Sequence, residues 1–191
     1  MPKRFILSDA IADSFVEQLK ALIGQLQRGD PKDETTGIVP MAREDLRADL
    51  HAQVERSVAA GAQRVIGGAF IGAQGAYYAP AILDYVQPGM AAFDEELFGP
   101  VAAIVRVNND EEAIRLANQT RFGLGGSVWT RDAARGEALA RRIHAGCTFV
   151  NGIVKSDPRL PFGGVKESGY GRELSHHGIR EFVNIKTVWI K

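Results

Sequence analysis

The chain has one cysteine in 191 residues, Cys147, so it forms no internal disulfide and a reducing, cytoplasmic setting is expected. No run approaches the ~20 apolar residues that a bilayer-spanning helix needs, and the first residues lack the charged and apolar regions of a secretory signal. Neither sign of charge is in excess. Twenty-three Lys and Arg balance twenty-three Asp and Glu, which argues against nucleic acid or an anionic membrane as a partner. The densest basic run, Arg141-Arg142 with His144 nearby, reads as a solvated helix face. Nucleotide and hydrolase motifs are missing too. Gly123, Gly125 and Gly126 have the wrong spacing for a dinucleotide fingerprint and precede a strand, and no Walker loop, G-x-S-x-G elbow or H-E-x-x-H occurs. Histidine is limited to His51, His144, His176 and His177. The adjacent pair is expected to point in different directions rather than share a helix face, so no metal site is expected.

What is present is an ordinary globular composition, 45% apolar and 24% charged, long enough for one domain with a small appendage. Phe5-Ile6-Leu7 reads as a strand, followed by Ser8 as a helix N-cap. Ile11, Phe15, Leu19, Leu22, Ile23 and Leu26 then recur at helical spacing as one buried stripe, with Gly29 as the stop. A charged loop over 30–37 precedes a second helix over 43–60, with Leu46, Leu50, Val54 and Val58 on one face. Val65-Ile66 is a brief strand before a glycine-rich bend over 67–75. Residues 77–86 are extended, and Pro80 favours an edge or a strand end there. Val101 to Val105 suits a strand buried on both faces. A helix over 110–118 capped by Asn108 or Asn109, a strand over 125–129, a helix over 132–144 and a strand over 147–151 complete an alternation that predicts an α/β fold with a parallel sheet. A short helix containing Leu174, restarting after Gly178, and an alternating strand over 185–190 form the tail. Domain bounds of 1–170 and 171–191 are expected.

Few residues carry chemistry on their own account. Cys147 starts an apolar strand and reads as a small buried hydrophobe rather than a reactive thiolate. Glu95 and Glu96 as a bare pair are exposed charge, yet Phe98 follows and Gly99-Pro100 imposes a turn before a buried strand, which suits a carboxylate and a ring held in place. The second loop block runs from Asn151 through Lys155-Ser156-Asp157-Pro158-Arg159 to Phe162-Gly163-Gly164, where the glycines permit a tight, irregular backbone.

Together, Glu95-Glu96-Leu97-Phe98-Gly99-Pro100 and Pro161-Phe162-Gly163-Gly164-Val165-Lys166-Glu167-Ser168-Gly169 resemble the C-terminal half of the aldehyde dehydrogenase superfamily, in order from Arg4 to the last residue. The wording Asn151-Gly152-Ile153-Val154-Lys155-Ser156-Asp157 is most similar to the succinate-semialdehyde branch. The resemblance implies the C-terminal part of the catalytic domain plus an oligomerisation strand. It implies NAD or NADP as cofactor, a small aldehyde as substrate and a homo-oligomer formed through the tail. It assigns Glu96 to the nicotinamide ribose, Phe98 to the nicotinamide flank, and Phe162 and Ser156 to the aldehyde site, with Ser156 near a distal carboxylate. In that family the nucleophilic cysteine, the general-base glutamate, the oxyanion asparagine and the dinucleotide-binding domain all precede this region. The isolated chain is therefore expected to be inactive and to hold no cofactor tightly. The alternative is a non-catalytic assembly or binding module derived from that family. A small hydrolase using Ser127 or Ser168 lacks its nucleophile elbow.

Overall fold

The structure, a computed structural model, describes residues 4–72 and 75–191. The chain divides into two compact units, Met1–Ala113 and Ile114–Lys191.

The first unit is built on a four-stranded sheet in the order β1 (Arg4–Ser8), β4 (Val101–Val107), β3 (Ala81–Asp84), β2 (Gln63–Ile66). β4 pairs parallel with both β1 and β3, whereas β2 runs antiparallel to β3. The apolar run that begins at Val101 is thus an interior strand, as its lack of polar alternation predicts. α1 (Asp9–Gly24) covers one face, where Val16 meets Ile82 and Ile104 with Phe5, Phe15, Leu19 and Ile23 around them. Leu83, Ala103 and Val105 alternate to the other face and are buried, as are Leu50 and Val54 of α2 (Glu44–Ala59). α2 packs on the short α3 (Ala91–Asp94), and buried Ser57 joins the two by donating to the Gln53 carbonyl and accepting from the Ala92 N–H, 2.8 Å each.

Several expectations need correction here. Of the expected α1 stripe, Phe15, Leu19 and Ile23 pack against the core, but the helix's buried residues are Ala12 and Val16, and Ile11, Leu22 and Leu26 are exposed. The helix ends at Gly24 rather than Gly29, and Ser8 occupies the N-cap without a side-chain bond. Pro80 directly precedes β3, so of its two expected places it takes the strand end; β3 is a fully buried interior strand and the edge is β2. The missing Pro80 N–H falls outside the ladder, and Gly67 lies so near its carbonyl that a Cβ there would sit 1.8 Å from the oxygen.

α4 (Asp110–Asn118) carries the expected cap. The Asn109 carboxamide accepts from the Glu112 N–H, and the Glu112 carboxylate accepts from the Asn108 N–H, both at 2.9 Å. In the second unit, β5 (Gly125–Val128) and β6 (Cys147–Val150) form a separate two-stranded parallel sheet, so the alternating strands do not make one continuous sheet. α5 (Ala133–Ala140) connects them, capped by the Asp132 carboxylate on the Arg135 N–H at 3.0 Å, and stops before His144. A 3₁₀ turn at Lys166–Ser168 precedes α6 (Ser175–Arg180), which contains Gly178 buried within it instead of breaking there. The His176 and His177 rings, expected to diverge, lie 4.1 Å apart. The expected final strand is absent: residues 184–191 form no regular element, and their apolar side chains are exposed.

Candidate functional site

The first predicted loop leaves α3 and enters β4, and its residues alternate in direction. Glu95 turns inward: Arg56 donates to both of its carboxylate oxygens at 2.8 Å, and Gln53 donates to Oε2 at 3.0 Å. Gln53 also donates to the Glu96 carbonyl at 3.0 Å. Leu97 is buried. Gly99 lies so close to α2 that a Cβ would sit 2.4 Å from Leu50 Cδ2 and 3.1 Å from Met41 Cε. The Pro100 carbonyl accepts from the Ala81 N–H at 2.9 Å, locking the loop's end onto β3. Glu96 and Phe98 are what remains on the outside, the latter 66% exposed. One carboxylate of the pair anchors the loop and the other is presented on it.

The second loop leaves β6. Asn151, at φ 52°, accepts from the Thr130 N–H at 2.9 Å, which fixes the loop's first turn. Asp157 receives the Arg159 Nε–H at 2.9 Å, its Nη2–H at 2.7 Å and its backbone N–H at 2.9 Å. The Arg159 guanidinium holds the Asp157 carboxyl well below the usual carboxylate range, helped by that backbone bond. Arg159 is therefore committed within the loop. A concavity of about 410 Å³ lies against β6, lined by Cys147, Phe149, Lys155, Asp157, Leu160 and Phe162 among others. Phe162 is half-buried in its wall, whereas Ser156 is exposed and not part of the lining. Lys155 and Asp157, on either side of Ser156, do line it, so Ser156 and Phe162 share a loop but not this concavity.

Phe162 is held by a two-way backbone pair with Glu173, at 2.9 and 2.8 Å. The motif residues after it tie the loop to residues 118–123. The Lys166 ammonium donates to the Asn118 and Thr120 carbonyls at 3.0 Å each, capping the end of α4. The Ser168 hydroxyl accepts from the Gly123 N–H at 2.9 Å, and Glu167 pairs with Arg121 at 3.0 Å. Ser168 is thus a backbone tie.

Cys147, expected to be a small buried hydrophobe, is only partly buried. Its thiol points to the Leu124 carbonyl at 3.3 Å, and burial pushes its pKa up, opposed by Arg172. A thiol so held favours the protonated form over a nucleophilic thiolate.

Sequence reasoning missed Gln53, Arg56 and Arg172. Gln53 and Arg56 are an i, i+3 pair on a helix face, but their partner lies about forty residues away, and nothing local marks such a contact. Among the described residues, no cluster of metal-ligating side chains forms and no helix is long and apolar enough to cross a membrane.

The sequence matches the model of the aldehyde dehydrogenase family over residues 1–188. It is 49% identical over 187 residues to the succinate semialdehyde dehydrogenase [NAD(P)+] Sad of Escherichia coli (strain K12), covering 98% of this chain and 40% of that one. It is 48% identical over 188 residues to succinate-semialdehyde dehydrogenase [NADP(+)] 1 of Mycobacterium tuberculosis (strain ATCC 25618 / H37Rv), covering 98% and 41%. Among solved structures, the succinic semialdehyde dehydrogenase of Streptococcus pyogenes in complex with NADP+ superposes with a TM-score of 0.93 at 37% identity, over 98% of this chain and 41% of that one. The chain thus spans about two fifths of the length of these relatives. With a match running through both loops and nearly every residue between, the chain belongs to the aldehyde dehydrogenase family.

Proposed function

We propose that this chain supplies the nicotinamide-side contacts and part of the aldehyde wall for NAD- or NADP-dependent oxidation of an aldehyde, succinate semialdehyde first among them, to its carboxylic acid. The observation that carries this reading is the alternation in 95–100: two residues are anchored inward, so an outward carboxylate and an outward ring stand two positions apart. Such a pair fits a ribose–nicotinamide end. Glu96 accepts hydrogen bonds from two ribose hydroxyls, and Phe98 flanks the planar ring. When bound, the dinucleotide accepts the hydride. Phe162 walls the aldehyde site, and Ser156, exposed on the same loop, offers a hydroxyl to a distal carboxylate. The names of the relatives support both the cofactor and the substrate class.

The polypeptide by itself is inactive on this reading, because its single thiol, Cys147, does not stand at the family's nucleophile position and points instead to the Leu124 carbonyl. The exposed tail, with Trp189 and Ile190 open to solvent, serves self-association, and the lone unpaired cysteine goes with a cytoplasmic setting.

The test is a fusion of this chain to the preceding part of the E. coli relative, assayed for nicotinamide reduction with succinate semialdehyde. The fusion is expected to turn over and the 191-residue chain alone to give no product. Glu96→Gln in the fusion should raise the KM for dinucleotide by about tenfold or more, the effect of weakening charge-assisted hydrogen bonds. A folded but inactive fusion, or turnover by the chain alone, would overturn the proposal.

A further inference from the structure

The Phe162-Gly163-Gly164 strip is confined on several sides. A Cβ at Gly146 would lie 1.6 Å from the Gly163 carbonyl oxygen, and a Cβ at Gly163 would lie 2.7 Å from the Gly171 oxygen. At Gly164 the corresponding contact is Ser168 Cβ, at 2.6 Å. The backbones are therefore in direct contact, and a side chain that grips one of them sets the position of the others. Arg172 does this. Its Nη1 donates to the Gly164 carbonyl at 2.8 Å and to the Gly171 carbonyl at 2.6 Å, bridging the two chain segments that enclose Gly163. Its neighbour Glu173 makes the two-way backbone pair with Phe162, at 2.9 and 2.8 Å. The strip is thus held at Phe162 by main chain and two residues later by a guanidinium.

From this geometry we infer that Arg172 is a positioning residue for the aldehyde wall: it fixes the ring of Phe162 without reaching the substrate itself. The inference rests on the reading of Phe162 as part of that wall. Both bonds leave one nitrogen, whose two N–H directions are fixed in the guanidinium plane, so the spacing of the two carbonyls is set more rigidly than by a freely rotating ammonium. Releasing the strip lets the Phe162 backbone relax, and a displacement of about an ångström in a substrate-positioning group is enough to lower turnover efficiency by up to about a hundredfold.

The experiment uses the active fusion with Arg172→Met, Arg172→Lys, Phe162→Ala and the double variant Arg172→Met/Phe162→Ala. Arg172→Met is expected to raise the KM for succinate semialdehyde by about tenfold and to leave the KM for dinucleotide within about twofold, with Arg172→Lys falling between it and the parent. Once Phe162 is reduced to alanine, removing Arg172 should add little, since its effect runs through that ring. Equal increases in both KM values, or losses that multiply in the double variant, would sink the inference while leaving the wall intact. An inactive parent fusion would sink the wall and the inference with it. If Arg172→Met does not fold, the lysine variant carries the same comparison. An unchanged aldehyde KM in that soluble variant, with a faster-exchanging Phe162 amide, would then count against Arg172.

Discussion

Tyr78 is sealed in the first unit, its hydroxyl 3.1 Å from His51 Nδ1 and its ring at an edge to both His51 and Phe70. Burial penalises the phenolate, and with Arg64 opposing and Glu55 assisting, its pKa is pushed up to about 12 from an ordinary 10.0. In the unfolded chain the phenol ionises near 10, so the unfolded state holds fewer protons than the folded one above that pH. Tyr78 thus contributes stability that is fully present below about pH 10 and is lost as pH rises to about 12. Urea unfolding followed across that window should show midpoints falling with pH, and Tyr78→Phe should flatten the fall. An equal fall in the variant would remove Tyr78 as its cause. This residue gave no sign of its role in the sequence, because burial and a long-range histidine partner set it. Glu95 and Glu96 make the same point from the other direction. Their adjacency and the following Phe98-Gly99-Pro100 marked the loop, but which carboxylate faces out depends on Gln53 and Arg56 of a distant helix.

At the scale of elements, local chemistry was legible wherever it dominated. The acidic first turn and a cap at Asn108 or Asn109 located α4 in the sequence, and the bond from the Glu112 N–H to the Asn109 carboxamide settles the cap, since caps are made by neighbours in sequence. Asn109→Ala removes the acceptor for the Glu112 N–H and should destabilise the chain by about 0.5–2 kcal/mol. The check is the thermal midpoint, with Asn109→Asp close to the parent. If alanine and aspartate behave alike, the cap is not what holds that end of α4. Elements whose limits depend on packing were less legible. The expected α1 stripe held for Phe15, Leu19 and Ile23 but omitted the helix's buried residues Ala12 and Val16, the former small and easily overlooked in a hydrophobic count. Pro80 suggested an edge or a strand end, and it stands at a strand end: the cost of a missing N–H applies only within a ladder, and β3 begins one residue later.

At the scale of the whole molecule, the α/β class followed from the alternation of strands and helices, but the division into two sheets did not. Alternation specifies that crossovers occur, and pairing partners depend on contacts far apart in sequence; β4 pairs with β1 across nearly a hundred residues, while β5 pairs only with β6 among the described strands. The tail shows the same limit. Its alternating pattern asks for a strand, yet a strand exists only where a neighbour offers hydrogen bonds, and among the described residues none does. What remains is a run in which Ile185, Val188, Trp189 and Ile190 are all largely exposed, close to exposed Phe182. Contiguous apolar surface of this kind is driven into association. Sedimentation of the 191-residue chain should therefore show concentration-dependent self-association. The triple variant Ile185→Ser, Trp189→Ser, Ile190→Ser should move it toward the monomer, with the unfolding midpoint of the dilute protein unchanged because these side chains contact little within the chain. A monomer at all concentrations in the parent, or association unaltered in the triple variant, would show that the tail is not the adhesive segment and that the self-association proposed for it lies elsewhere.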